Sequence, residues 1–335
     1  MKSQDAPEQM ARMITGYWIS QAIYAAAKFG IADLLKDGPR HIEVLADLTS
    51  TNGDALYRLL RALASVGIFS EGPPRAFSLT PLAELLRSDV AGSQRSLALM
   101  TGGQQFQAWG HIGHSIQTGK TAFEHLHGKP LFEFLAAHPA MAGVFDEAMT
   151  SIHGRETAAI LDAYDFSGIE VLADIGGGNG SNLTEILTRY PSMKGILFDL
   201  PHVVERARTL VETSGVSDRC QLIGGDFFVS APAGAAAYLL RHIIHDWDDE
   251  KSATILRNCR AAMPPRGKLL VVETVIPPGN APFAGKLLDL AMLLIPGGKE
   301  RTADEYQTLY EQAGFELSRI VPSNLEVSVV EGAPS

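Results

Sequence analysis

A glycine-rich turn between an apolar strand and a helix is the part of this sequence best suited to hold a ligand. Val171–Ile175 is an apolar run typical of a buried parallel strand, and Ser181–Tyr190 carries apolar residues at helical spacing. Gly176, Gly178 and Gly180 lie between them. Because glycine has no Cβ, the backbone can turn sharply there, and the amide groups at the helix start favour polar or anionic atoms. The pattern predicts a nucleotide-sized cradle.

Three acids accompany this cradle, each at or near the end of an apolar run. Asp174 precedes the first glycine, Asp199 closes one run and Asp226 closes the next. An acid about twenty residues after such a loop commonly accepts hydrogen bonds from ribose hydroxyls. The glycine spacing differs from the G-x-G-x-x-G pattern of dinucleotide folds, which disfavours NAD. A plain tight turn is the alternative interpretation of the loop.

A histidine follows a later strand, where the chemistry of such a fold is expected. Ala237–Ile244 is a strand-like run that ends at His245, and Asp248-Asp249-Glu250 then begins a helix. Ligands of open α/β sheets bind at the carboxyl ends of the strands. Histidine titrates near neutral pH and can take a proton there, so His245 is the candidate general base.

Six stretches of the second half resemble the S-adenosylmethionine-dependent small-molecule O-methyltransferases, such as the caffeic acid, isoflavone and carminomycin O-methyltransferases. They are DIGGGNG (Asp174–Gly180), FDLPHV (Phe198–Val203), GGDFF (Gly224–Phe228), HDWDDE (His245–Glu250), VVETVIP (Val271–Pro277) and PGGKERT (Pro296–Thr302). The resemblance implies a doubly wound, Rossmann-like α/β sheet of the class I methyltransferases. It also implies in-line transfer of a methyl group from S-adenosylmethionine to a hydroxyl of a phenolic or polyketide-type natural product. S-adenosylhomocysteine is then the second product.

The same resemblance implies roles for individual residues. It places Glu273 and Glu300 beside His245, as the acids that flank the family's histidine. The residues that it implies for cofactor binding are Asp174, Gly176, Gly178, Asp199, Leu200, Asp226, Phe227 and Arg241. Arg241 stands where the family carries a basic residue. The plainer alternatives are that Glu273 is a strand-end acid facing solvent and that Glu300 caps the helix over Ala303–Ala313.

The region from Met100 to Tyr164 is rich in aromatics, methionines and histidines, and it predicts helices that cover the active site. Methionine and aromatic side chains adapt to flat apolar ligands, although each is more often part of a core. The candidates for substrate binding are Phe106, Trp109, Phe145, Met149, His153 and Met292. Arg155, His153 or Lys299 could also pair with an acidic group of a substrate.

Two histidine pairs in this region raise the question of a metal site. His111/His114 and His125/His127 have suggestive spacing, but no set of carboxylates or thiols accompanies them at helical or knuckle spacing. We therefore expect no metal.

The first hundred residues predict a winged-helix domain. Ile14–Phe29 and three shorter stretches have helical apolar spacing, Asp54 is the candidate N-cap of the helix over Leu56–Val66, and two short strands flank Gly72-Pro73-Pro74. Winged helices often bind DNA, which would suit a ligand-sensing or S-adenosylmethionine-sensing regulator. The stretch Ile31–Val90 carries six basic and eight acidic residues, which disfavours a phosphate-backbone partner.

The apolar helix over Ile14–Phe29 has two interpretations. In the family that the chain resembles, this domain interlocks with a second subunit, so the helix predicts a homodimer face. An ordinary core helix within one chain is the alternative.

Length and composition are those of an ordinary two-domain protein. The 335 residues carry a formal net charge of −10, which disfavours nucleic-acid and anionic-membrane partners. Cys220 and Cys259 cannot form a disulfide framework, the N-terminus shows no signal pattern, and the longest apolar run, Leu287–Pro296, is too short to span a bilayer. These features predict a cytoplasmic enzyme.

The sequence as a whole predicts three segments. A helical, winged-helix dimerisation domain occupies residues 1–100, a helical connection over the substrate site occupies 101–165, and the S-adenosylmethionine-binding catalytic domain occupies 166–335. Two activities of the same fold stay open as alternatives. One is a methyltransferase-like hydroxylase, disfavoured by the retained His245 and its two acids, and the other is N- or C-methyl transfer.

Overall fold

The computed structural model describes residues 5–154 and 156–335, and the chain forms two compact units. The N-terminal unit comprises the residues up to Gly110 together with Glu133–Ile152, and the catalytic unit comprises His111–Phe132 and His153–Ser335. The segment boundaries expected at residues 100 and 165 stay a prediction.

The N-terminal unit consists of helices and one small antiparallel sheet. Its strands are β1 (Arg40–His41), β2 (Phe69–Gly72) and β3 (Ala76–Leu79), in the order β1-β3-β2. The helices before residue 111 are Ala6–Ile14, Tyr17–Lys28, Ile31–Leu34, Ile42–Thr49, Gly53–Ala64, Pro81–Glu84, Arg95–Met100, the π-helical turn Thr101–Gln105, and Phe106–Gly110. Leu131–Ala137 and Pro139–His153 follow later in the chain. This arrangement of helices around a two-stranded wing matches the predicted pattern.

The helices of this unit bury their apolar faces in one core, and one helix begins at a different residue from the predicted one. Leu45, Leu60 and Phe77 are fully buried in a single apolar cluster. The helix Gly53–Ala64 begins one residue earlier than Asp54, because the side chain of Asn52 accepts a hydrogen bond from the amide of Ala55 at 2.9 Å. The prediction that Asp54 is the N-cap was therefore wrong. Asparagine and aspartate cap equally well, so sequence alone does not choose between neighbours.

The catalytic unit is built on a seven-stranded mixed sheet. Its strands are β4 (Val171–Ile175), β5 (Lys194–Asp199), β6 (Cys220–Gly224), β7 (Ala237–Arg241), β8 (Lys268–Thr274), β9 (Phe315–Pro322) and β10 (Val327–Pro334). They lie in the order β6-β5-β4-β7-β8-β10-β9. The pairs from β6 to β8 are parallel, and β10 is antiparallel to both of its neighbours. The predicted doubly wound α/β fold is confirmed.

Helices connect these strands and cover the sheet. They are Ile112–Thr118, Ala122–His127, Glu156–Ala163, Ser181–Arg189, Pro201–Thr213, Asp249–Ala262, Gly285–Leu294 and Ala303–Gln312, with a 3₁₀ turn at Ile244–Asp246. Successive strand residues point to opposite faces of the sheet. Accordingly Ala173 and Ile175 of β4 belong to one apolar core and Leu172 to the other.

The strand order reverses between β4 and β7, the first strands of the two halves of the sheet. Ligands of such folds bind in the crevice at the carboxyl ends of the strands beside this reversal. Gly176 follows β4, and Ile243 follows β7. An added Cβ at Gly176 would lie 2.5 Å from Ile243 Cδ1, so the two loops meet there.

Cys220 and Cys259 are buried, and neither forms a disulfide. Within the described residues, no helix has both the length and the apolar character needed to cross a bilayer.

Candidate active site

The glycine turn after β4 requires glycine for two separate reasons. Gly176, Gly178 and Gly180 have φ values of 71°, 58° and 80°, in the left-handed region that side chains with a Cβ rarely adopt. Gly177 lacks space rather than a special φ, because its Cβ would lie 2.3 Å from Leu197 Cδ1. A Cβ at Gly178 would meet nothing within 4 Å. The turn therefore presents bare backbone toward open space at Gly178.

Asp199 lies directly across from this turn, at the end of β5. Its carboxylate accepts hydrogen bonds from the amides of Gly178 at 2.9 Å and Leu200 at 2.6 Å. Burial raises the pKa of Asp199, while these two hydrogen bonds act in the opposite direction. Asp226 lies after β6 and accepts from the amide of Phe228 at 2.8 Å. Asp199 and Asp226, which the sequence analysis placed at strand ends, thus accept hydrogen bonds from backbone amides of the nearby loops.

A buried polar pocket lies behind the turn, around Asp174 and Arg241. Burial raises the pKa of Asp174 to about 7, with the charge of Arg241 opposing it. Arg241 donates to Thr157 Oγ1 at 2.7 Å, to Asn182 Oδ1 at 3.0 Å and to Glu156 Oε2 at 3.0 Å.

The polar side chains of this group face one another. A side-chain interaction with Asn182 lowers the pKa of Asp174 and so partly offsets burial. Within the part of the chain that the structure describes, Arg241 Nε is buried without a hydrogen bond. A buried polar group directly beside a glycine turn is suited to hold the polar part of a ligand.

His245 lies in the 3₁₀ turn after β7, with both predicted acids against one of its ring nitrogens. Its Nδ1 is 2.8 Å from Glu300 Oε1 and 3.2 Å from Glu273 Oε2. The backbone amide of His245 also donates to Glu273 Oε1 at 3.2 Å. Glu273 is 0% exposed and Glu300 2%. The structure therefore brings the three residues together, and Glu273 does not face solvent.

The electrostatics of this group follow from one imidazole and three nearby carboxylates. Burial alone would lower the pKa of His245, but the charge of Glu273, the hydrogen bond with Glu300 and the charge of Asp246 raise it to about 10. Burial raises the pKa of Glu300, whereas the charges of His245 and His242 hold the pKa of Glu273 below its usual value. The two glutamates consequently differ in proton affinity although both touch the same nitrogen.

The free ring nitrogen of His245 is Nε2. Since Nδ1 is held by Glu300 and Glu273, Nε2 is the nitrogen available to a ligand, and Asp246 Oδ1 lies 3.8 Å from it. Burial raises the pKa of Asp246 to about 6, although the charge of His245 opposes this. A histidine oriented through one nitrogen by carboxylates is suited to exchange a proton through the other.

The segment that carries Glu300 is fixed by its neighbours Arg301 and Gly298. Arg301 is fully buried and donates to the carbonyls of Ile244 and Trp247, each at 3.1 Å, and to Asp249 Oδ1 at 2.8 Å. At Gly298 an added Cβ would lie 1.9 Å from the carbonyl oxygen of His245. The two segments therefore pack backbone against backbone.

The helix that follows Glu300 is capped by other residues. Its N-cap is Thr302, which forms a reciprocal capping box with Glu305. Glu300 is therefore not needed as a cap, and its carboxylate contacts His245 instead.

The predicted substrate residues are divided between the two units. His153 and Met292 belong to the catalytic unit, and the N-terminal unit contains Phe106, Trp109, Phe145 and Met149. His153 stacks on His242 with ring centroids 3.9 Å apart, and burial together with the charges of His242 and Arg241 strongly lowers its pKa. Arg155 lies outside the described residues. The substrate assignment stays a prediction.

Several residues at the site were not singled out from the sequence. Arg301 lies inside the PGGKERT stretch, so its position next to Glu300 was a usable signal. His242 and Asp246 lie within three residues of His245. No sequence pattern links Glu156 or Asn182 to Arg241, because only the fold brings these residues together.

Among the residues that the structure describes, two overlapping groups of side chains are compact enough to hold an ion. The ligand-type atoms of His153, Glu156 and His242 lie within 4.8 Å of one another, as do those of His242, His245 and Glu273. Neither group includes the pairs His111/His114 and His125/His127 that were considered in the sequence analysis. Within both groups the atoms also pair with one another, as in the 2.7 Å contact of His242 Nε2 with Glu156 Oε2.

Comparisons with known proteins identify the family of the chain. An O-methyltransferase domain matches residues 109–316, and an O-methyltransferase dimerisation domain matches residues 11–89. The chain belongs to the family of S-adenosylmethionine-dependent O-methyltransferases. It is 49% identical over 325 residues to the phenazine O-methyltransferase PhzM of Lysobacter antibioticus, which covers 97% of this chain and 95% of that protein.

Two solved structures extend this O-methyltransferase assignment to the fold. The crystal structure of LaPhzM superposes with a TM-score of 0.96 at 48% identity and covers 99% of this chain and 100% of that one. The O-methyltransferase NcsB1 of neocarzinostatin biosynthesis superposes with a TM-score of 0.85 at 33% identity, over 94% of this chain and 96% of that one. The latter was solved in complex with S-adenosylmethionine and 2-hydroxy-5-methyl naphthoic acid. The family predicted from the sequence motifs is confirmed.

The packing at Gly298 yields a prediction. In Gly298→Ala the new methyl group meets the backbone of His245, which cannot yield as a side chain would, so we expect a loss of about 1–3 kcal/mol in the free energy of unfolding. Displacement of Glu300 should also lower the rate of methyl transfer. Thermal unfolding and a methyl-transfer assay measure the two effects.

The matched control is Gly113→Ala, in the helix Ile112–Thr118, where an added Cβ meets nothing within 4 Å. This variant should unfold at or above the wild-type temperature. If Gly298→Ala is as stable and as active as Gly113→Ala, the close packing of the two segments has no importance.

Proposed function

We propose that this enzyme transfers a methyl group from S-adenosylmethionine to a hydroxyl of an aromatic small molecule, with His245 as the general base. The observation that carries the proposal is the placement of both buried glutamates, Glu273 and Glu300, on Nδ1 of His245. This arrangement fixes the ring and leaves Nε2 for the substrate hydroxyl.

The glycine turn and the polar pocket behind it are the proposed site of the cofactor. The buried polar side chains of Asp174, Asn182 and Arg241 and the open space at Gly178 suit a ligand with a nucleoside and an amino-acid end. The proposed contacts come from Asp174, Gly176, Gly178, Asp199, Leu200, Asp226, Phe227 and Arg241. When bound, S-adenosylmethionine supplies an electrophilic methyl group on a positively charged sulfur. Arg241 is already paired with Glu156, so it would act chiefly by holding Asn182 and Thr157 in place.

His245 accepts the proton of the substrate hydroxyl through Nε2. The Nδ1–H group meanwhile stays between Glu300 and Glu273, whose charge stabilises the imidazolium that forms. Because the pKa of His245 is raised to about 10, its neutral form is a stronger base than an ordinary imidazole, and the rate should rise with pH as the imidazolium loses its proton. Most of the remaining rate enhancement comes from alignment of the reacting groups.

The proposed acceptor is a flat aromatic compound, either phenolic or of polyketide type. In the catalytic unit, Trp247 lies beside His245 in sequence and its ring is 5.6 Å from that of Phe132, which provides an apolar aromatic wall. The relatives named above act on a phenazine or bind a naphthoic acid, which are also flat aromatic compounds. The proposed contacts are Phe106, Trp109, Phe145, Met149, His153 and Met292.

We also propose that the enzyme is a cytoplasmic homodimer joined through its N-terminal domain. The helices Ala6–Ile14 and Tyr17–Lys28 carry large apolar side chains on the surface of the single chain, among them Met13 at 68%, Ile14 at 65% and Trp18 at 62% exposed. Several large apolar side chains exposed on two successive helices favour a partner surface. Its position within the matched dimerisation domain favours a second copy.

The first prediction of this proposal concerns the product and the base. Wild-type enzyme with S-adenosylmethionine, EDTA and a panel of aromatic alcohols should give a product heavier by one methyl group on oxygen. In His245→Ala the rate should fall by about 10²–10⁴-fold, since a positioned general base contributes that much. Mass spectrometry identifies the product, and initial rates quantify the loss.

The control variant is His138→Ala, which removes an exposed histidine of the N-terminal unit and should keep the wild-type rate. Cofactor binding without methylated product would indicate the hydroxylase or the sensor function instead. A methyl group on nitrogen or carbon would place the enzyme in the other transferase classes. Loss of the wild-type reaction in EDTA would show that a metal is required.

The second prediction concerns assembly. A double variant, Ile14→Glu with Trp18→Glu, places two charges on the proposed dimer face, where desolvation of unpaired charges opposes association. Light scattering after gel filtration should give one chain mass instead of two. The control Val229→Glu changes a side chain that is 75% exposed in the catalytic unit and should stay dimeric. A wild-type monomer would refute the proposal.

A further inference from the structure

A second histidine contacts the same carboxylate oxygen of Glu273 as His245 does. His242 Nδ1 is 3.5 Å from Glu273 Oε2, a contact between charges rather than a well-formed hydrogen bond. On its other edge, His242 Nε2 is 2.7 Å from Glu156 Oε2. The ring is thus held between two glutamates, one of which also touches the proposed base.

The backbone of His242 is held in an uncommon conformation to achieve this. Its φ is 53°, in the left-handed region that few residues with a side chain adopt, although histidine does so more often than most. Its amide donates to the carbonyl of Val272 at 3.1 Å, so the turn is fixed between β7 and β8. Strained backbone of this kind persists where the surroundings enforce it, and it is common at functional sites.

Charge balance around Glu273 shows what His242 contributes. Glu273 is completely buried, and it shares Nδ1 of His245 with Glu300. Two buried carboxylates against one imidazole leave an excess of negative charge, and an unpaired buried carboxylate tends to take up a proton. A second cation against Glu273 opposes that tendency.

The groups that face His242 favour its charged form. They are Glu156 and Glu273 as anions, Arg241 as a cation bound to Glu156, His153 as a stacked ring whose pKa is strongly lowered, and the more distant His245, Asp246 and Glu300. Burial would lower the pKa of His242, but its contacts with Glu156 and Glu273 outweigh burial and raise it.

We propose that His242 is a positioning residue which, as an imidazolium, keeps Glu273 ionised against His245 and so sets the pH range in which His245 accepts the substrate proton. This role rests on the proposed function of His245 as the base. His242 acts on His245 through Glu273, so it is distinct from the triad itself.

The sign of the effect follows from the charge of Glu273. That charge is the largest influence that raises the pKa of His245, so the loss of the His242 imidazolium, which lets Glu273 take up a proton, weakens the hold of His245 on its own proton. Direct repulsion between the two rings, whose centroids are 5.1 Å apart, acts in the opposite sense, but Glu273 is nearer, at 3.2 Å from Nδ1. The acid limb of the kcat profile should therefore move to lower pH.

The test compares pH profiles of wild type and His242→Asn. Asparagine tolerates the left-handed backbone but carries no charge. We expect the acid limb of kcat to fall by about one pH unit and the rate above the limb to fall as well, because a protonated Glu273 no longer stabilises the imidazolium that forms on His245. A merely structural defect would lower kcat equally at every pH, and that result would overturn the proposal.

A matched control removes a neighbouring ring without removing charge. The variant His153→Gln removes the uncharged ring that stacks on His242. The acid limb of the kcat profile of this variant should stay at the wild-type pH, even if its maximal rate changes. An equal shift in His153→Gln and His242→Asn would overturn the proposal, because it would show that packing rather than charge moves the limb.

A second measurement does not depend on methyl transfer at all. In protein labelled with ¹⁵N-histidine, the ring nitrogens of His242 should both carry protons at neutral pH, identified as the signals lost in His242→Asn, or in His242→Gly if the asparagine variant does not fold. Signals of a neutral ring would refute the role of His242. If instead His242 is charged but His245→Ala keeps full activity, the proposed function of His245 fails and the charge of His242 stands.

Discussion

The contact of two buried carboxylates with a single nitrogen of His245 is the interaction on which the rest of the site depends. A histidine at a strand end can turn its ring, change tautomer or become protonated. When neighbouring side chains hold one ring nitrogen, the position and protonation state of the second ring nitrogen are fixed as well. Glu300 at 2.8 Å and Glu273 at 3.2 Å from Nδ1 supply that constraint. Both acids are nearly inaccessible to water, so their charges act on the ring with little screening.

Such an arrangement is costly unless the surrounding chain is fixed. Buried ionised groups are tolerated only when they are paired and hydrogen-bonded, and here the pairs extend outward from Glu273 through His242 to Glu156 and Arg241. On the other side, Arg301 ties the Glu300 segment to the carbonyls around His245, and Gly298 allows the two backbones to touch. The short stretches around His245 and Glu300 therefore pack directly against each other and depend on each other for their positions.

Much of this could be predicted from the sequence because strong local signals mark it. The strand, glycine turn and helix from Val171 to Arg189 have the predicted order and nearly the predicted bounds, since apolar spacing and glycine act locally. The meeting of His245, Glu273 and Glu300 followed from family motifs rather than from periodicity. Glu156 and His242 could not be found this way, because their contact depends on how a helix start packs against the end of β7. The cap at Asn52 was missed for a smaller reason, since two equally good capping residues stand two positions apart.

The most direct test of the account is a crystal structure of the enzyme with S-adenosylhomocysteine and the methyl acceptor that the activity screen identifies. The account predicts that the acceptor oxygen lies within hydrogen-bond distance of Nε2 of His245, while Nδ1 keeps its contacts with Glu273 and Glu300. An acceptor oxygen bound away from Nε2, or a ring turned so that the glutamates hold Nε2 instead, would contradict it.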